Sequence, residues 1–366
     1  MRMFFVAGIG IAIFIEFLLI SKKNKTVSDQ ILTLWMFLIL LHQFLLYIFI
    51  TEDVYRFPFL LGLEHPLPLL QGVFLFLYVS FLTNQLPENR KVLLLHFVPA
   101  AAMYLYLMSF FMLPSDQKLE VYRNRGAGYE TFMIVRLYAV TFSGILYVAW
   151  SAFLLRKHRK NIQDQFSDLE RVNLQWLRIL TYGLGGIWLL VIFFRNEVLI
   201  LAGIVVFVFL IGFFGVRQAE IFKPVQLPAD PDAQRKKYPK SGLTEETSNK
   251  LHQSLIQLMK ESALYRKSDL SINDISSKLG VHANYLSQII NQKEKKNFYD
   301  FVNSYRFEEF KRMIAKQKNQ QYTLLSLAYD CGFSSKSSFN RYFKKATGQT
   351  PSEYSTTFAA DQASPS

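Results

Sequence analysis

The sequence predicts an all-α protein in two parts, a polytopic seven-helix membrane domain followed by an all-α double helix-turn-helix domain. Three observations predict it. Seven long apolar stretches fill roughly the first 217 residues, which are rich in Phe, Leu, Ile, Val and Tyr. The rest of the chain turns polar and charged. Within that polar part an apolar–Gly–apolar pattern occurs twice, with Gly280 and Gly332 about 52 positions apart. The 366 residues then divide into a membrane domain at 1–217, a basic Pro-containing linker at 218–243, a helix-turn-helix domain at 244–358 and a disordered tail at 359–366.

The apolar runs are 3–20, 31–50, 67–84, 92–113, 131–155, 176–194 and 197–217. A helix needs about 20 apolar residues to cross a bilayer. The third run is the weakest, with Pro66 and Pro68 at its start and Gln71 and Asn84 inside it. The last two are joined only by Arg195, Asn196 and Glu197, which forces a helical hairpin. The basic residues orient the bundle. With the N-terminus outside, the inner loops hold Lys22, Lys23, Lys25, Arg90, Lys91, Arg156, Lys157, Arg159, Lys160 and Arg171. The outer segments hold fewer: Arg2, Arg56, Lys118, Arg123, Arg125 and Arg195. The bias predicts the N-terminus outside and the C-terminus inside, which an odd number of spans also requires of a cytoplasmic tail. A cleaved signal peptide is disfavoured, because the basic cluster follows the first apolar run instead of preceding it. His42, in mid-span, reads as a hydrogen-bonding group between helices or as a sensing group. The outer loop 114–130, with Tyr122, Arg123, Arg125 and Tyr129, is long enough to shape a ligand site.

Residues 218–243 contain Pro224, Pro228, Pro231 and Pro239, which forbid a long helix. Arg235, Lys236, Lys237 and Lys240 give the segment a basic patch suited to anionic lipid or to plain solvent. As a coil it would reach on the order of 25–30 Å, keeping the last domain near the membrane.

That domain opens with a helix at Thr244, where Glu245 and Glu246 suit a helix N-terminus. Leu251, Leu255, Leu258 and Met259 form its apolar stripe. Ser271 with Asp274 is a capping-box spacing. Ile272, Ile275 and Leu279 then lead to a turn at Gly280, which enters left-handed backbone freely. In the next helix, near 282–292, Leu286, Ile289 and Ile290 point inward. Asn284, Ser287, Gln288 and Asn291 are left on one outer stripe, rich in amides and free of acids. Such a face suits base edges, since Asn and Gln bond adenine in two places. A helix near 298–317 would span about 30 Å, close to one turn of B-DNA at about 34 Å. The second unit repeats the first. Gly332 turns, Phe339, Tyr342 and Phe343 face inward, and Ser337, Asn340, Arg341 and Lys344 face outward with Lys336 beside them. Arg341 suits guanine, whereas Lys344 and Lys345 suit phosphate.

The run Gly332-Phe-Ser-Ser-Lys-Ser-Ser-Phe-Asn-Arg-Tyr-Phe-Lys-Lys-Ala-Thr-Gly-Gln-Thr-Pro-Ser-Glu-Tyr354 closely resembles the hallmark segment of AraC/XylS-family transcriptional regulators. Leu279-Gly280-Val281 and Tyr285-Leu286-Ser287 resemble that family's first helix-turn-helix. The similarity covers about 245–356. It implies base-facing roles for Asn284, Ser287 and Gln288 in the first unit, and for Lys336, Ser337, Ser338 and Arg341 in the second. Ser276 stands where the family often has Ala. Many relatives carry a soluble effector domain upstream. This chain has apolar spans there, so it looks like the membrane-anchored regulators of bacteria, and no effector carries over.

The expected function is therefore a one-component transcription regulator of the bacterial inner membrane. Its expected partners are double-stranded promoter DNA, the lipid bilayer and an unknown stimulus or ligand, and the sequence leaves a homodimer open. Residues 241–358 hold 17 Lys+Arg against 11 Asp+Glu, a balance that suits nucleic acid without requiring it. One cysteine, Cys331, excludes an internal disulfide and a CxxC site. It reads as a small buried hydrophobe. No HExxH, G-x-S-x-G or Walker loop is present, so no enzyme and no cofactor is expected. Two alternatives remain at this point: a transporter or membrane enzyme with a regulatory DNA-binding tail, and a helix-turn-helix module that binds protein.

Overall fold

A computed structural model of the chain describes residues 2–170, 174–194, 196–221, 244–316 and 323–354. The linker expected at 218–243 lies outside the described residues from 222 onward, as does the whole tail expected at 359–366. Among the described residues there is no strand. The sole sheet-like feature among them is an isolated antiparallel bridge between Phe166 and Ser271. The chain forms two compact units, one of Met1–Lys157 with Leu174–Pro224, the other of His158–Asn173 with Val225–Ser366.

The first unit holds α1 (Arg2–Ser21), α2 (Val27–Ile50), α3 (Leu67–Leu82), α4 (Val98–Tyr106), α5 (Met108–Phe111) and α6 (Ser115–Arg123). It continues with most of α7 (Glu130–Gln163), then α8 (Gln175–Leu189) and α9 (Glu197–Ile221). Thr26 starts α2 with a capping box. Its hydroxyl accepts from the Asp29 N–H, and the Asp29 carboxylate accepts from the Thr26 N–H at 2.7 Å. Fully buried Trp35 anchors the middle of this unit, donating to Gln71 Oε1 at 2.9 Å and meeting the rings of Tyr78 and Phe207.

Three helices among the described residues are long and apolar enough to cross a membrane: Val27–Ile50, Glu130–Gln163 and Gln175–Phe194. This corrects the expectation of seven. Phe5–Ser21 and Val198–Phe214 are apolar stretches within the longer α1 and α9, and Leu67–Leu82 is a shorter apolar helix. At 1.5 Å per residue the 16-residue α3 reaches only about 24 Å, short of a hydrocarbon core of about 30 Å. The run 92–113 is apolar but broken. A 3₁₀ segment Arg90–Phe97 leads into α4, Pro99 stands in the first turn of α4, and α5 restarts after Leu107. Proline lacks the N–H that would continue the preceding turn. Apolarity alone could not reveal that break.

The second unit contains α10 (Glu245–Ser262), α11 (Ile272–Leu279), α12 (Ala283–Ile289), α13 (Phe298–Lys316), α14 (Leu324–Asp330) and α15 (Lys336–Thr347). Thr244 caps α10 as expected, its hydroxyl accepting from the Thr247 N–H. Two apolar clusters hold the unit together. Leu255, Met259, Leu270, Ile275, Leu286, Ile290, Phe298 and Val302 gather around α11 and α12. Phe307, Phe310, Leu327, Phe333, Phe339 and Phe343 gather around α14 and α15. α13 contributes to both, so it is the shared spine. Burying one such side chain stabilises by about 1.5–3 kcal/mol.

The second cluster also takes Ile162 and Leu169, with Phe166 packed against it. These residues lie in sequence between the body of α7 and the start of α8. The stretch His158–Asn173 therefore belongs to the compact unit of the helix-turn-helix repeats, which neither its position nor its His-Arg-Lys start would indicate.

Candidate nucleic-acid interface

Local chemistry sets each half of the repeat. Ser271 caps α11. Its hydroxyl accepts from the Asp274 N–H at 3.3 Å, and the Asp274 carboxylate accepts from the Ser271 N–H at 2.8 Å. Burial alone would raise the Asp274 pKa, but the Ser271 donors and Lys267 hold it below the usual carboxylate range. Gly280 closes α11 at φ 64°. His282 then caps α12, its Nδ1 accepting from the Asn284 N–H at 3.3 Å. In the second half Thr323 caps α14 and Ser335 caps α15, accepting from Ser326 N–H and Ser338 N–H, each at 3.1 Å.

The two candidate reading helices are α12 and α15. On α12, Leu286 and Ile289 are buried, while Asn284, Ser287 and Gln288 are half-buried on the other side. The helix does not stay regular to 292. From Ile290 to Glu294 it widens into a π turn and ends at Lys295 in left-handed backbone. Exposed Asn291 sits in that wide turn, and its side-chain amide donates to the Ser287 carbonyl at 2.9 Å. π turns of this kind recur at functional sites.

On α15, Phe339, Tyr342 and Phe343 are buried, and Lys336, Ser337, Asn340, Arg341, Lys344 and Lys345 are exposed. Ser338 is the exception among the residues expected to face DNA. It is only 2% exposed, because it stands next to Phe339 on the inward side of the first turn. Lys345 is held by α13, its ammonium lying 2.7 Å and 2.8 Å from the two carboxylate oxygens of Asp300. Neither α12 nor α15 contains an acidic residue. The rings of Phe310, Phe333, Phe339 and Phe343 stack edge-on or tilted beneath α15, with centroids 4.8–5.7 Å apart where they meet. This rigid aromatic floor fixes the outer face of the helix. α13 has 19 residues, about 28 Å of helix.

Two features escape sequence reasoning. Arg306 is 1% exposed at the centre of the unit. Its Nε donates to Tyr265 O at 2.7 Å, and its Nη2 donates to Lys267 O at 2.8 Å and Ser167 Oγ at 3.1 Å. Its Nη1 donates to Asn303 Oδ1 at 3.1 Å and Ser167 O at 3.3 Å. Burial pushes its pKa down to about 10, so it stays charged at neutral pH. Inside an amphipathic helix one arginine reads as a surface residue, and only its acceptors reveal otherwise. The second is Glu170, which accepts from Ser337 Oγ and lies 3.8 Å from Arg341 Nη2. Cys331 matches its expected role: it is fully buried, and burial pushes its thiol up to about 12.

Residues 255–357 match the family model described as "Helix-turn-helix domain". This stretch is therefore similar to a helix-turn-helix domain. The chain is 33% identical over 136 residues to the "Uncharacterized HTH-type transcriptional regulator YobQ" of Bacillus subtilis (strain 168), covering 33% of this chain and 55% of that protein. It is also 33% identical over 91 residues to the "Uncharacterized HTH-type transcriptional regulator SACOL0084" of Staphylococcus aureus (strain COL), covering 25% of this chain and 12% of that protein. The chain thus spans about half the length of the first relative and about an eighth of the second. No solved structure matches it.

A separate candidate site lies in the first unit. A cavity of about 280 Å³ is lined by Phe49, His65, Phe110, Tyr122, Arg125 and Tyr129, among others. The Tyr122 hydroxyl donates to Glu64 Oε1 at 2.8 Å, and His65 stacks on the Tyr122 ring. Burial drives the His65 pKa down to about 4, leaving the imidazole neutral. Loop residues Tyr122, Arg125 and Tyr129 do converge on a hollow, while Arg123 does not line it. No group of His, Cys, Asp and Glu that could hold a metal ion occurs among the described residues.

Proposed function

We propose that this protein is a membrane-tethered transcription regulator that reads double-stranded DNA with α12 and α15. One observation carries the reading: two capped, acid-free helices present polar outer faces and pack on one shared helix, α13. α13 itself is about 28 Å long, near one turn of B-DNA at about 34 Å, and the two helices would enter successive major-groove segments on one side of the duplex. Asn284, Ser287, Gln288 and Asn291 would meet base edges from the first unit. Ser337, Asn340 and Arg341 would do so from the second, while Lys336 and Lys344 would hold phosphates, and Lys345 would have to leave Asp300 to join them. The names of the two relatives support transcription regulation as the outcome.

The apolar helices support embedding in a bilayer. The basic run Arg156, Lys157, Arg159 and Lys160 supports a cytoplasmic position for the end of α7. The DNA-reading unit would then face the chromosome. The aromatic-walled hollow around Tyr122 and Arg125 is the place where a small stimulus molecule would act.

Arg341→Ala in the full-length chain is expected to weaken binding to a selected duplex by about 1–3 kcal/mol and to relax preference at one base position. A footprint titration reads this, and an unchanged affinity overturns the role. Lys344→Ala is expected to weaken all duplexes alike and to reduce the slope of log K against log salt by about 1. A sequence-dependent loss would instead make Lys344 a base contact.

A further inference from the structure

The segment His158–Asn173 is bound into the DNA-reading unit by its middle. Ile162 and Leu169 are buried in the aromatic cluster under α15. Gln165 O accepts from the Ile272 N–H at 2.9 Å, and Ser167 N–H donates to Leu270 O at 3.1 Å. The Ser167 hydroxyl donates to the same carbonyl at 2.7 Å. Ser167 also accepts from Arg306 through both its carbonyl and its hydroxyl. These bonds pin the segment across the start of α11 and the middle of α13.

Past Ser167 the segment changes in character. The Asp168 carboxylate accepts from the Glu170 N–H at 3.0 Å and turns the chain. Glu170 then reaches α15, accepting from Ser337 Oγ and facing Arg341 at 3.8 Å. Both ends of that ion pair are partly open to solvent, Arg341 at 47% and Glu170 at 35% side-chain exposure. Such a pair is weak, about 0–1 kcal/mol. A carboxylate seated on a hydroxyl and a guanidinium has the chemistry of a DNA phosphate or an acceptor base edge.

We propose that Glu170 is an internal ligand of the second reading helix, a carboxylate that occupies Ser337 and Arg341 and competes with DNA for them. This rests on the reading of α15 as a DNA-contacting helix. In sequence Glu170 lies between α7, which ends at Gln163, and α8, which begins at Gln175. Both belong to helices of membrane-crossing length. A shift of either helix changes the tether on Glu170, so the contact is a route by which the membrane part can set DNA affinity. Weakness is what a competitor needs: a pair worth little is displaced by an incoming duplex once the tether slackens.

The test uses the full-length chain in lipid nanodiscs and a duplex recovered by that chain from a random 30-base-pair pool. Glu170→Gln keeps the size and removes the charge. Glu261→Gln removes an equal charge from an exposed position on α10, where the carboxylate accepts from Gln257. The expected result is about two- to fivefold tighter binding for Glu170→Gln and no such gain for Glu261→Gln. Equal affinity of Glu170→Gln and the unaltered chain overturns the inference while leaving the DNA-reading helices in place. Equal gains from both variants also overturn it, since a general charge effect would then account for them. If no duplex is recovered by the unaltered chain or by Glu170→Gln, the DNA-reading role itself fails, and this inference with it.

Discussion

Arg306→Ala is expected to destabilise the second unit by about 3–5 kcal/mol, the cost typical of removing one partner from a buried charged network. The guanidinium ties two separate pieces of chain to α13, the 3₁₀ turn Leu264–Arg266 with the residue after it through Tyr265 O and Lys267 O, and the 158–173 segment through Ser167, and it is braced within α13 by Asn303. Alanine takes this donor from Tyr265 O and Asn303 Oδ1, at about 1–3 kcal/mol each unless water enters, while Ser167 O and Lys267 O keep the Asn303 amide and the Leu270 N–H. It also opens a void beside Phe333, over which the guanidinium sits at 5.9 Å. Hydrogen exchange of the full-length chain in nanodiscs, followed through residues 298–316, reads the effect. Protection there is expected to fall by about 10²- to 10³-fold or more, since about 1.4 kcal/mol is a factor of ten. Arg306→Lys is expected to recover little, because an ammonium lacks the planar fork that reaches all of these acceptors. Unchanged protection in the alanine variant would mean that Arg306 contributes nothing to holding the unit together.

Gly332→Ala is expected to cost about 3 kcal/mol or more. The residue has φ +97°, and a Cβ built there would collide with the Tyr265 carbonyl oxygen and lie 2.7 Å from that of Arg266. The first of these carbonyls accepts from Arg306 Nε, so any shift that relieves the clash loosens the Arg306 network too. Backbone strain and steric conflict therefore add. Gly280 provides a contrast inside the same chain. Its φ is +64°, but no heavy atom lies within 4 Å of its would-be Cβ. Gly280→Ala should cost about 1 kcal/mol, the strain alone. Comparing the exchange protection of α14 and α15 in the two variants checks the ranking, and equal losses would refute the steric argument.

Much of the second unit was legible in the sequence because its signals are local. The capping pairs Ser271–Asp274 and Thr244–Thr247, the turn glycines and the inward stripe Phe339, Tyr342, Phe343 each act within one or two turns of chain. Residues 255–357 also match the helix-turn-helix family. The failures share a different cause. Ser338 lies at the boundary of the two faces of α15, where one helical step of about 100° decides burial. The π turn at Ile290–Glu294 leaves no mark in periodicity. In the apolar first unit, hydropathy counts apolar residues and is blind to where Pro99 and Leu107 interrupt the run 92–113, so it overstates the number of helices long enough to cross a membrane. Arg306 and Glu170 were invisible because their partners lie far off in sequence, at Ser167 and Arg341.

The place of Ile162, Phe166 and Leu169 in the aromatic cluster has a consequence for synthesis. At about 5–20 residues per second, roughly ten to thirty seconds separate the emergence of these side chains from the ribosome and that of Phe343. During that interval they lack the partners they pack against in the finished protein. The C-terminal unit cannot complete its core as an independent late-made module, and any truncated gene product starting after Asn173 will be born with a gap where those three side chains belong.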